Sequence, residues 1–600
     1  MLLSDYVVQF LAQKGIRDTF LVSGGGIMYL LDSLARSPDV RYYCNYHEQA
    51  CAISAEGYAR VTNGVGACLV TTGPGGANAV SALPAAWVDS VPMIVICGQV
   101  KQELIAEYDK IRQIGPQEGN VVGMATPVTK YAKSVRDPKT IRYELEYAYH
   151  QAVSGRPGPV LVELPLDVQG ANIDPDILVG YTSAPVDVSD RLVEDVARVL
   201  SEIRNARRPI LICGNGIHRA NAQDLLRAVL EKLQVPIVLP ITGKDVLEED
   251  HPMQMGIFGT AGQRRANFAV QNSDLMVAIG AGLNCQKVGF NIAGFAPKAR
   301  KIIVDIDEAQ LRYQLVRPDV PIEADAADFL SEMLAQLERE PYVSPARWLD
   351  ACKHWKMRYP PVTPDYLEEE EYVNTYYFYD RLSDILEPGA LMVTGNALDT
   401  TSYFQAFRVK RGQRTINSGW GAMGWCLPMA VGVCIGSGKR RTLCCTGDGS
   451  FQFNSQELLT MAHYRLPIQV FVLNNQGYSN IRSTQNSFFE GRFAGSDATS
   501  GVGTPHFDGL AAAYDFRYSR IQNHTDLESG IRAALAGEGP GICEVNVSPK
   551  QGIWPKASAY RRPDGTFESR PLEDMFPFLS REEVWENMHQ FDGEESLDRG

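Results

Sequence analysis

TGDGSFQFNSQELLTMAHYRLPIQVFVLNNQGYSNIR, residues 446–482, is the stretch around which the rest of the chain can be read. An apolar, strand-like run, Arg441-Thr-Leu-Cys-Cys445, leads into it, and the chain turns on Gly447-Asp448-Gly449-Ser450. Helical spacing follows through Glu457, Leu458 and Met461; a second buried strand, 468–473, then ends at Asn474-Asn475. This pattern predicts one βαβ unit. Parallel strands deliver their carboxyl ends to the same sheet edge, where ligands bind. Asp448 and Asn475, 27 positions apart, are therefore expected to converge. With the Gly477 carbonyl they form a hard-oxygen set suited to Mg²⁺, which takes about six ligands and shares them with water and phosphates. The N–H groups of Gly449 and Ser450 open the helix and suit a phosphate. A bare GDG is more simply a βα turn with Asp448 as helix cap. A following strand that ends in NN at this distance favours the metal–phosphate reading.

GDGS followed by NN resembles the signature of enzymes that bind thiamine diphosphate through a divalent metal. The resemblance extends along the chain: HEQA (47–50), GYAR (57–60), TGPGGAN (72–78), DSVPMIVICGQV (89–100) and SGRPGPVLVELPLDV (154–168) precede GDGS in order. Together they are similar to the acetolactate synthase branch of that family. The implied fold is α/β, with three doubly wound parallel-sheet domains: pyrimidine-binding (1–174), central (190–337) and diphosphate-binding (376–547). The expected C-terminal arm or lid covers 548–600, with a polar linker at 175–189 and a long acidic surface connection at 338–375. Strand-like runs at 19–22, 66–71, 93–97, 159–162, 209–213, 237–239, 275–279 and 301–304 carry the alternation of strands and helices.

Taken alone, Glu48 is a solvated first-turn carboxylate, and Gly73–Gly76 is a tight turn without the Lys and Ser/Thr of a Walker loop. The resemblance changes both readings. It implies that Glu48 places a proton on the cofactor's aminopyrimidine ring and that Gln117 lies beside the donor substrate. It further implies cofactor contacts at Gly24, Gly25, Pro74, Asn78, Asn396, Ala397, Gly421, Met423, Gly447, Gly449, Ser450 and Tyr478. Met423 would be the apolar wedge under the two rings, plain core being the alternative, and the Gly421 carbonyl would receive the cofactor amino group. In the central domain, Gly214, Gly216, Gly256, Asn267, Gly280, Gly282 and Asp305 fall in segments resembling those that hold FAD. A flavin-free structural domain stays open, because Gly282-Leu-Asn-Cys285 replaces the family's charged stretch.

Four departures bear on substrate. Pro116 stands where the family has phenylalanine before Gln-Glu, and the loop 101–115 is longer than its counterpart. Thr484 replaces a tryptophan that shapes the acceptor pocket, and Ala397-Leu398-Asp399 replaces Gly-Gln-His. Losing an indole removes a large wall. With Pro116, Arg482, Thr484 and Gln485 at the acceptor wall, the expected reaction is decarboxylation of pyruvate and transfer of its two-carbon unit to a ketone. NNQGYSNIRSTQNSFFEGR and RPLEDMFPFL resemble bacterial enzymes that use a nucleotide-linked deoxyketosugar in surface-polysaccharide synthesis. The alternatives are an acetolactate synthase condensing two 2-ketoacids, a non-ligating decarboxylase or flavin-dependent oxidase, and a catalytically silent scaffold.

Composition sets the outer bounds. Six hundred residues suffice for three or four domains, and a net charge of −14 disfavours nucleic acid or anionic membrane as main partner. Twelve cysteines without a CxxC pair read as buried thiols of a reduced, cytoplasmic protein. The N-terminus has no basic start or cleavage site, and no apolar run reaches the ~20 residues of a membrane span. A homo-oligomer, dimer or tetramer, is expected because the family builds each site from two subunits.

Overall fold

The computed structural model describes residues 1–183 and 191–592. Part of the 175–189 linker and the acidic run from 593 onward lie outside the described residues. Three six-stranded sheets, all parallel, carry helices on their faces. The first contains β1 (Asp18–Leu21), β2 (Arg41–Cys44), β3 (Gly66–Val70), β4 (Met93–Gln99), β5 (Tyr131–Ser134) and β6 (Pro159–Pro165). Its order is β2-β1-β3-β4-β6-β5. The central sheet comprises β7 (Pro209–Cys213), β8 (Ile237–Leu239), β9 (Gln254–Ile257), β10 (Leu275–Ile279), β11 (Arg300–Asp305) and β12 (Val320–Glu323). Its order, β9-β8-β7-β10-β11-β12, is that of dinucleotide-binding domains. The third sheet holds β13 (Leu391–Thr394), β14 (Arg414–Ile416), β15 (Thr442–Gly447), β16 (Ile468–Asn474), β17 (Arg517–Ile521) and β18 (Gly541–Asn546). Here β14-β13-β15-β16-β18-β17 repeats the order of the first sheet.

The inner strands are buried on both faces, which explains their unbroken apolar runs: β3, β4, β7 and β10 have no exposed residue. The first and third sheets share one core through two crossing helices, Glu48–Thr62 and Cys426–Gly436. Their backbones meet closely enough to require glycine. A Cβ on Gly57 would lie 2.5 Å from the Met429 carbonyl oxygen, and one on Gly432 would lie 1.8 Å from that of Ser54. Beside this crossing, the buried Glu457 accepts from Asn45 Nδ2 (2.7 Å) and from the Tyr46 amide (3.0 Å). Burial raises its pKa.

Residues 338–375 are more than the expected surface connection. They contain a helix, Ala346–Arg358, that buries Trp348, Cys352 and Trp355. These share one face at helical spacing, a pattern outweighed in the sequence by the surrounding Pro and Glu. The C-terminal arm forms a hairpin, β19 (Ala559–Arg561) with β20 (Phe567–Ser569), and a helix, Arg581–His589. That helix returns to the central domain, where Asn272 Nδ2 donates to the Asn587 carbonyl at 3.2 Å, and to the connecting helix, where Trp355 Nε1 donates to Asn587 Oδ1 at 2.7 Å. Among the described residues no helix is long and apolar enough to cross a membrane.

Candidate active site

β15 and β16 pair in register up to Gly447 and Leu473, so both strands end at one edge. Asp448 begins a short helix there and is 2 % exposed. Its Oδ2 accepts the Gly477 amide at 2.7 Å, while its buried Oδ1 has no hydrogen-bond partner. Burial pushes this carboxyl up to about 6. Asn475 is buried beside it. Gly477 (φ +127°) is needed for its backbone conformation and for space, since a Cβ would lie 2.5 Å from the Ser496 carbonyl oxygen. The Tyr478 ring packs over Gly449, where a Cβ would come within 2.2 Å of Cε1. A lone buried carboxylate oxygen with an adjacent amide, beside the open space at Gly447, fits a divalent ion that draws its other ligands from a diphosphate and water.

The 418–425 segment closes this corner. Ser450 Oγ accepts the Gly424 amide at 2.9 Å, and Asn454 Nδ2 donates to the Gly424 carbonyl at 2.9 Å. Met423 is half-buried between Gly421 and Gly424, both at positive φ. Asn396 Nδ2 donates to the Gly421 carbonyl at 2.5 Å, so that oxygen, expected to face the cofactor amino group, has a protein partner here. Ala397 stands at φ +65° on the turn into the helix Leu398–Ala406. The adjacent Asp399 is 2 % exposed, and neither carboxylate oxygen has a partner. Burial holds it well above the usual carboxylate range beside Cys426. The Cys426 thiol is lowered to about 7, chiefly by its hydrogen bond with Cys444.

In the first domain, Glu48 opens the helix Glu48–Thr62 behind the His47 cap. Asn78 Nδ2 donates to Glu48 Oε2 at 2.9 Å, and a Cβ on Gly75 would lie 3.2 Å from Oε1. Pro74 starts the following helix, Pro74–Val80. A Cβ on Gly24 would meet the Thr71 side chain at 2.5 Å, whereas Gly25 faces open space. Gln117 is exposed at φ +65°, and its carbonyl packs on Gly73, where a Cβ would lie 1.9 Å away.

The sequence motifs did not disclose what holds 418–425. Arg60 of GYAR pairs with Glu56 (2.6 Å) and with Asp89 of DSVP (2.5 Å). Asp89 accepts the Gly419 amide at 2.7 Å, and Trp425 Nε1 donates to Glu56 at 3.0 Å. Both motifs had been visible, but without a partner to give them a role.

Two residues expected at the acceptor wall are tied to the protein itself. Arg482 is buried, and its Nη atoms donate to the carbonyls of Asn475, Gln476, Ser496 and Pro549 at 2.9–3.2 Å. Gln485 bonds Ala494 and Ser496 at 2.9 and 2.8 Å. Both side chains brace the loop after β16. Thr484 and Pro116 are exposed.

A cleft of about 790 Å³ runs from the central domain to Asn396, Ala397 and Gly421. Gly216, Gly280, Gly282 and Asp305 line it, and a Cβ on Gly214 would lie 2.3 Å from the Gly280 carbonyl oxygen. Gly256 and Asn267 are not among its lining residues. Asn267 is fully buried and bonds Gly259 and the Leu572 carbonyl, while Gly256 packs against Gln263. Arg156, Arg219 and Lys287 also line the cleft and suit a diphosphate. All twelve cysteines are free, and all but Cys44 and Cys285 are buried.

Residues 1–124, 196–333 and 395–545 match the N-terminal TPP-binding, central and C-terminal TPP-binding domains of thiamine pyrophosphate enzymes. The chain is 31% identical over 567 residues to the acetolactate synthase large subunit of Cyanidium caldarium, covering 92% of this chain and 94% of that protein. It is 33% identical over 557 residues to that of Parasynechococcus marenigrum, covering 91% and 87%. The isozyme 1 large subunit of Escherichia coli is 29% identical over 555 residues, covering 92% and 95%. The chain therefore belongs to the acetolactate synthase family of thiamine-diphosphate-dependent enzymes, which transfer a two-carbon acetaldehyde unit.

Proposed function

We propose that the chain decarboxylates pyruvate and joins the two-carbon remnant to a second 2-ketoacid. The observation that carries this is the unpartnered, buried Asp448 oxygen at the paired ends of β15 and β16. When bound, thiamine diphosphate supplies a carbon centre that holds the electron pair left by departing CO₂ and returns it to an acceptor carbonyl. Asp448, Asn475 and Gly477 would hold Mg²⁺, while the Gly449–Ser450 backbone takes the diphosphate. Met423 would set the bend of the cofactor. Glu48, oriented by Asn78, would place the proton on its pyrimidine ring, and Gln117 would face the donor. FAD would occupy the central cleft, with Arg156, Arg219 and Lys287 toward its diphosphate.

Glu48 and Asp448 lie in different domains, and the family resemblance joins the first domain of one subunit to the third of another. The working unit is then at least a dimer, and a fully active monomer in sedimentation would overturn that assembly. One observation favours a second reading, transfer to a bulky polar ketone such as a nucleotide-linked ketosugar. Thr484 sits exposed where the family has tryptophan, on a helix, Ser479–Phe489, whose Asn480 lines the cleft.

The test is the mass of products from pyruvate with thiamine diphosphate and Mg²⁺, alone and with a panel of ketones. Acetolactate from pyruvate alone supports the leading reading. A product formed only with the larger ketone supports the second, and CO₂ release without ligation rejects both.

A further inference from the structure

We propose that Glu118 is a positioning residue that staples the long loop after β4 and so fixes Gln117 on the donor side of the site. The inference rests on the reading that puts Gln117 beside the donor.

The carboxylate of Glu118 bridges both arms of the loop. Oε1 accepts the Ala106 amide at 3.0 Å, and Oε2 accepts the Ile114 amide at 3.0 Å. The main chain of the same residue takes part too, since Gln113 Nε2 donates to the Glu118 carbonyl at 2.8 Å. Between the arms, Asp109, Lys110, Ile111 and Arg112 are exposed, whereas Glu118 is 4 % exposed. Hydrogen bonds to a charged acceptor are about twice as strong as neutral ones, so one side chain supplies much of what closes this loop. The Ala106 and Ile114 amides, with the Tyr108 hydroxyl close by, hold its pKa below the usual value despite burial.

The anchor is transmitted to the neighbouring residue. Gln117 sits at φ +65°, a conformation that costs a non-glycine residue energy unless its surroundings impose it. On one side Gly73 receives its carbonyl. On the other, Gln99 Nε2 donates to the Gly119 carbonyl at 3.0 Å, while Thr72 Oγ1 bonds Gln99 Oε1 at 2.5 Å. Glu118 lies between these contacts and ties them to the loop. An amide in its place offers one acceptor oxygen and turns a donor toward the other arm's N–H.

The experiment compares the unsubstituted protein with Glu118→Gln and Glu118→Ala. Limited trypsin digestion reads cleavage after Lys110 and Arg112, and steady-state kinetics with pyruvate separate KM from kcat. Loop cleavage is expected to accelerate and KM for pyruvate to rise roughly tenfold, the scale of a lost hydrogen bond to a charged group, with kcat changed less. Amide exchange in the unsubstituted protein guards against variants that do not fold: Ala106 and Ile114 should exchange more slowly than Lys110 and Ile111. Equal exchange at these four amides, or unchanged digestion in a folded variant, overturns the staple. Faster digestion with unchanged KM overturns the link to Gln117, and leaves both the donor-side reading and ketoacid carboligation untouched.

Discussion

β3 and β15 hold the same place in two sheets of identical order, and the chain leaves them in opposite ways. After β3 comes Thr72-Gly73-Pro74-Gly75-Gly76, uncharged and nearly without side chains; after β15 comes Asp448-Gly449-Ser450. In both sheets the loop after the next strand returns to this turn. Gln117 presses its carbonyl on Gly73, while the Gly477 amide reaches Asp448 Oδ2 at 2.7 Å. Topology thus brings two segments together in each domain, and the residues decide whether they meet as packed backbone or around a carboxylate. Under the proposed function, the first arrangement would leave the chemistry to Glu48 at the start of the neighbouring helix, and the second would give the third domain a place for an ion.

If that division is right, the two halves fail differently. Glu48→Gln should lower turnover by about 10²–10⁴-fold, the usual worth of a positioned proton-transfer group, and leave Mg²⁺-dependent cofactor affinity intact in calorimetry. Parallel loss of both would erase the distinction. Asp448→Ala should weaken that affinity by more than the roughly 10–100-fold expected for an outer partner of a metal site. A magnesium titration indistinguishable from the parent's would move the ion elsewhere.

The two sheets are also welded where their helices cross. Gly432→Val puts new carbons against the Ser54 carbonyl and should cost about 3 kcal/mol, the upper part of the range for overpacking, read from the urea midpoint. A neutral result would show that the crossing can slide. The smallest effect is expected at the mouth. Thr484→Trp should shift preference between a bulky ketone and a second pyruvate by ~1–3 kcal/mol, without changing CO₂ release from pyruvate. Equal depression of both acceptors would remove Thr484 from the acceptor wall.

The parts most legible in sequence were those governed by strand burial. Pro209–Cys213, Ile237–Leu239 and Leu275–Ile279 were read to the residue because a strand covered on both faces must be apolar throughout. The convergence of Asp448 with Asn475 was legible for a related reason, since parallel register forces it. β12 was not, because its burial alternates along Val320–Glu323 and its apolar signal is halved. Arg482 illustrates a different limit. Its place beside Thr484 suggested a ligand contact, but it sits buried in the helix Ser479–Phe489 and its partners are carbonyls as distant in sequence as Pro549. Asp399 reads as a charge in the sequence, yet its burial raises its pKa well above the usual carboxylate range.

Arg482 also has a mechanical meaning. One guanidinium grips the loop carrying Asn475 and Gln476, and with the same hand it holds the carbonyl of Pro549, at the root of the C-terminal arm. That arm travels on to bond Asn267 in the central domain and Trp355 in the connecting helix packed on it. A change in the posture of the loop after β16 therefore has a continuous line of contacts to follow, from the edge of the third sheet to the helices packed on the central one.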